Sequence, residues 1–127
     1  PANGVADALA LGMLTHLVAD LPIAIELTTT RMLASDVVAL VQAEGVTVVC
    51  IADLPPSLPS KTRYLIKRLR GAVPEVRIVV GRWAPPALAD ETTQGLRDAG
   101  ATVVMSTLGE TRVYLAGLAG IATPHDA

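Results

Sequence analysis

The chain has 127 residues, 51% of them apolar and only 2% aromatic with no Phe, which sets a single domain with an aliphatic core of Ala, Val, Leu and Ile. A formal charge of −2 excludes the basic footprint of a nucleic-acid binder and the acidic tail of a solvating segment. Cys50 is the single cysteine, so no intrachain disulfide is available, and no apolar run approaches the roughly 20 residues that cross a bilayer.

The opening Pro1-Ala2-Asn3-Gly4 is loop chemistry. Residues 5–20 carry Asp7, His16 and Asp20 without a basic leader, unlike a secretory signal. Residues 5–19 place Val5, Leu9, Met13, Leu14 and Leu17 at helical spacing and predict a helix. After Pro22, Ile23 to Leu27 reads as a strand, and Thr28 to Thr30 as caps for a second helix. That helix is predicted from about Met32 to Glu44, with Leu33, Val37, Leu40 and Val41 on one face and Gly45 as its stop. Val46 to Ala52 is uncharged and largely β-branched, the signature of a buried strand, and Cys50 within it reads as a buried, inert thiol in a reducing compartment.

A stiff loop, Asp53-Leu54-Pro55-Pro56-Ser57, leads to a helix that Ser57 is expected to cap with Pro59 in its first turn. That helix should bury Thr62, Leu65, Ile66 and Leu69, run to Arg70 and stop at Gly71. Val76 to Val80 is a further strand, Gly81 to Pro86 a second rigid loop, and Ala87 to Ala99 a helix closed by Gly100. Thr102 to Met105 is the last strand, a helix from about Gly109 to Leu118 comes after it, and Ala122 to Ala127 is a tail. Strict alternation with short connections requires right-handed crossovers, hence an α/β fold: a flavodoxin-like, doubly wound parallel sheet with helices on both faces, in one domain over residues 1–121. Such a domain normally starts on a strand, so a first strand is expected ahead of residue 1.

In open parallel sheets, ligands sit beyond the carboxyl ends of the strands. That rim carries Asn3 and Gly4, Thr28 to Thr30, Asp53 and Leu54, Gly81, Arg82 and Trp83, and Ser106 and Thr107. Asp53 suits a general base or phosphoacceptor, or a turn cap; no second acid stands at the end of an earlier strand. Arg82 and Trp83 suit an anion and a ring, or an Arg–Asp pair under an indole lid. Lys61, Arg63, Lys67, Arg68 and Arg70 are half of the ten basic residues, and make either an anionic-lipid or phosphate surface or a solvated helix face. His16 and His125 are too few for a metal site, no glycine-rich phosphate loop is present, and Ser57, Ser60 and Ser106 have no neighbouring His base. No catalytic group, cofactor or metal is expected.

The segments Val48-Val-Cys-Ile-Ala-Asp-Leu-Pro-Pro56, Thr62-Arg-Tyr-Leu-Ile-Lys-Arg-Leu-Arg70 and Val79-Val-Gly-Arg-Trp83, with Pro1 to Ala10 and Ala99 to Thr102, resemble the soluble C-terminal domain of some bacterial permeases of the autoinducer-2 exporter family. That domain is in turn similar to cobalamin-binding domains. Measured against their motifs, Ala6 stands where the cobalt-coordinating His belongs and Ala52 where a Ser belongs, with Leu54 matching the motif's Leu. Arg82 follows Gly81 where a second Gly would admit the nucleotide tail. The resemblance thus implies a fold kept without its cobalamin-gripping residues. It implies a non-catalytic regulatory or interaction domain on the cytoplasmic side of the inner membrane. Its partners would be the rest of a parent transporter and a second copy of itself, with neither nucleic acid nor cobalamin. The alternative expectation is a sensor for a small anionic or nucleotide-like ligand held at the sheet rim.

Overall fold

Three of the four apolar runs read as strands become strands. Val48–Ala52 (β1), Arg77–Gly81 (β2) and Val103–Met105 (β3) pair in parallel in the order β1-β2-β3, with Cys50 opposite Val79, Ala52 opposite Gly81 and Gly81 opposite Met105. The computed structural model describes residues 1–85 and 92–120. Among these residues the helices are α1 (Val5–Leu17), α2 (Ala34–Glu44), α3 (Ser60–Ala72), α4 (Thr93–Ala99) and α5 (Leu108–Leu118). The expected start of the fourth helix at Ala87, and the expected tail, lie outside the described residues.

Alternation along the strands sorts the core into two layers. Ile51, Ile78 and Val80 pack with Val41 of α2, Ile66 and Leu69 of α3, and Leu96 of α4. Ala52 packs on the other face with Leu11, Leu14 and Val18 from α1 and its C-terminal continuation, and with Ala116 of α5. Helices therefore cover both faces of a parallel sheet, the α/β layout that the alternation predicts. Arg112 of α5 donates to Leu17 O and to both carboxylate oxygens of Asp20, which ties the end of α1 to α5. Gly45 closes α2 in the left-handed conformation at φ 61°, where a side chain would be strained. No helix among the described residues is long and apolar enough to cross a membrane.

Four local expectations are corrected. The helix of residues 5–19 ends at Leu17 and buries Asp7, Ala10, Leu11 and Leu14, whereas Val5, Leu9, Met13 and Leu17 face outward. Its sequence is apolar around most of its circumference, so periodicity alone selects no face. Ile23 to Leu27 is no strand: it carries no regular structure and pairs with none of the three strands. The third helix starts at Ser60 behind Pro59 and runs past Gly71 to Ala72, and Ser57 spends its hydroxyl on Asp53 instead of capping. The second starts at Ala34, where Asp36 accepts the Leu33 N–H, so the threonines at 28–30 are not its caps and Leu33 lies exposed.

Candidate functional site

β1 delivers Asp53 to the carboxyl rim with its side chain fully buried. A carboxylate in that position is tolerable only if its lone pairs are filled. Asn3 Nδ2 donates to Oδ1 at 2.9 Å, Ser57 Oγ donates to Oδ1 and Thr62 Oγ1 to Oδ2, both at 2.5 Å, and Arg82 Nη1 stands 3.4 Å from Oδ1. The Arg82 guanidinium, delivered by the end of β2, also donates to the carbonyls of Asp53 and Ser57 at 3.2 Å. The loop between them contains a cis peptide at Pro55–Pro56.

A second buried acid stands beside the first. Asp7, in the first turn of α1, accepts the Asn3 N–H at 2.9 Å and the Leu54 N–H at 3.0 Å. Asn3 therefore bridges the two carboxylates, one through its backbone and one through its amide. Gly4, between them, is the residue that opens α1. Sequence reading missed Asp7 and Thr62 as members of this cluster. The legible signals were an acid in the first turn of a helix and a Thr on the inward face of α3, but nothing local says that either reaches the end of β1.

Trp83 leaves this cluster and turns to the opposite layer. It is buried among Leu14, Val18 and Ala116, and its Nε1 donates to Thr111 Oγ1 at 2.8 Å. Thr111 in turn donates to Thr107 O, and the Thr107 hydroxyl accepts the Glu110 N–H as the cap of α5. Ser106 contributes its carbonyl to the Ala84 N–H and is otherwise exposed. The sequence-predicted residues thus fall into two groups. Asn3, Leu54, Asp53 and Arg82 share one polar network, in which Asp53 and Arg82 are buried and Asn3 is exposed, while Trp83 and Thr107 belong to the α5 side.

Gly81 explains how the indole fits. A Cβ built on it would lie 2.3 Å from two carbons of the Trp83 ring, so the ring occupies the space that any side chain would need. Gly81→Ala is expected to destabilise the domain by about 1–3 kcal/mol through overpacking, read as a lower midpoint in urea unfolding. An unchanged midpoint would mean that the indole does not rest on this strand end.

The remaining candidates are largely structural. Arg70 is spent on the carbonyls of Pro74, Val76 and Gly100, clamping the end of α3 to the turns before β2 and β3. Arg68 donates to the Tyr64 hydroxyl and sits over its ring. Burial pushes the Cys50 thiol up to about 12, so at neutral pH it holds its proton and is a poor nucleophile. No group of three or more His, Cys, Asp or Glu able to hold a metal occurs among the described residues.

Neither protein-family models nor curated proteins match this chain. What the site can do therefore rests on its geometry. That geometry is a rim whose charged side chains bind one another and an indole that serves the core.

Proposed function

We propose that this domain is a non-catalytic regulatory or interaction module that works by protein contact, and that it serves a membrane permease from the cytosolic side. The observation that carries the reading is the outer face of α1. Val5, Leu9, Met13 and Leu17 follow one another at four-residue spacing and remain 76%, 66%, 60% and 40% exposed. Scattered apolar residues on a surface mean little, but an aligned row of large ones along a helix is the usual mark of a contact surface. The permease as partner rests on the sequence resemblance alone.

A sensor for a small anionic or nucleotide-like ligand at the rim is disfavoured by the arrangement there. Such a ligand would have to draw Arg82 away from Asp53 and the Ser57 carbonyl, and would meet Trp83 already packed against Gly81.

The test is Leu9→Glu combined with Met13→Glu, in the isolated domain and in its parent transporter. Both side chains project outward, so the isolated variant is expected to unfold at the same temperature as the unmodified domain. In the parent, transport or assembly is expected to change as much as when the whole domain is deleted. Transport and assembly identical to the unmodified parent would sink the reading.

A further inference from the structure

β1 is an edge strand whose free side is not covered. Asp53 donates to Gly81 O and Thr47 accepts from Arg77, so the odd-numbered residues of β1 turn their backbone groups to β2. By alternation, Val48, Cys50 and Ala52 turn theirs the other way. Among the described residues, one backbone bond is made on that side: the Ala2 N–H donates to Ala52 O at 2.9 Å.

Beyond that edge lies a groove of about 850 Å³ that reaches from Pro1 to residues 23–31. Its walls are apolar on both sides of the sheet plane: Leu14, Val18 and Leu115 from the α1 and α5 layer, and Val37, Val41 and Leu65 from the α2 and α3 layer. A slot with two apolar walls and a row of unpaired backbone groups along one side has the requirements of a central parallel strand.

We propose that this groove is the seat of one more β-strand, apolar on both faces, that runs parallel to β1 and leads directly into Pro1. Ala2 already occupies the last rung of that ladder. Extending it backward places the residue immediately before Pro1 so that its N–H reaches Cys50 O and its C=O accepts from the Ala52 N–H. The residue two places before Pro1 then lies opposite Cys50. β1 is five residues long, so the strand needed is about 17 Å in length. Its far side would face the segment Ile23 to Leu27, which lines the opposite wall of the groove. Pairing there would restore it as the outer strand, and the sheet would then have five strands in the doubly wound order that the sequence predicts.

The test extends the chain at Pro1 by Thr-Val-Ile-Val-Val, with Gly-Ser-Gly-Ser-Gly as the control, and follows amide hydrogen exchange by NMR. The apolar extension is expected to slow exchange at Val48 and Cys50 by roughly a hundred-fold or more over the control, as for amides newly held in a central ladder. Nuclear Overhauser contacts between the residue two before Pro1 and Cys50 are expected to fix the parallel register. If the extended chain aggregates, the same five residues followed by Pro-Ala are added as a separate peptide to the unextended chain, with the same amides observed.

Equal exchange in the apolar and control chains overturns the proposal, as does an antiparallel or shifted register. Protection of Val48 and Cys50 in the unextended chain overturns it as well. If that protection disappears on dilution, a second copy fills the slot. If it persists in the monomer, Ile23 to Leu27 has closed onto β1.

Discussion

Trp83→Ala is expected to lower the unfolding free energy by about 3–5 kcal/mol, the range for emptying a large aromatic site in a packed core. Three losses combine. The indole leaves a cavity among Leu14, Val18 and Ala116 at the junction of sheet, α1 and α5. The surface of Gly81, which has no side chain of its own to fill the gap, loses the ring that rests on it. Thr111, buried beside it, loses its donor. Against a typical total of about 5–15 kcal/mol, that places the variant close to the limit of folding. Trp83→Phe separates the contributions: most of the ring volume remains, and the unpaired Thr111 oxygen accounts for about 1–3 kcal/mol. Because Trp83 is the chain's single Trp, unfolding is followed by far-UV circular dichroism. An Ala variant as stable as the unmodified domain would put the indole outside the core and return it to a ligand-stacking or interface role.

Asp53→Ala is expected to cost a similar amount, about 3–5 kcal/mol, for an electrostatic reason. The substitution leaves the Arg82 guanidinium buried beside a site that no longer carries its countercharge. It also strands the buried Thr62 hydroxyl and takes one acceptor from the Ser57 hydroxyl and the Asn3 amide. Part of the damage is the loss of the Asp53 carboxylate beside a buried guanidinium, so removing the guanidinium as well should recover part of it. The pair Asp53→Ala with Arg82→Met is expected to be less destabilised than the sum of the two single changes by about 0.5–3 kcal/mol, the range for contacting residues. Urea unfolding of the four proteins in the cycle measures this. Strict additivity would show that the two side chains do not act as a unit, and the buried network at the rim would have to be abandoned as an explanation for why Asp53 is inside.

Legibility from sequence differed between elements according to how local their causes are. β1 and β2 could be read because buried parallel strands are short, uncharged, β-branched runs, and Val48–Ala52 and Arg77–Gly81 are nearly that. Gly45 could be read as a helix stop because the left-handed backbone is a property of the residue itself. The rim was also located, since Asp53 and Arg82 do follow the strand ends, but their partners were not. Asp7 lies 46 positions from Asp53 along the chain, and Asn3 joins them only because α1 packs where it does.

The sequence by itself determined the alternation from β1 to α5, the parallel α/β class and the positions of those strand ends, all of which follow from short-range periodicity and backbone preference. Only the tertiary structure decided which face α1 buries, which layer Trp83 enters, and whether Ile23 to Leu27 becomes a strand. Each of these depends on a neighbour distant in sequence. A helix apolar all round accepts whichever side the sheet offers, an indole goes where a Gly leaves room, and an extended segment is a strand only when another backbone lies beside it.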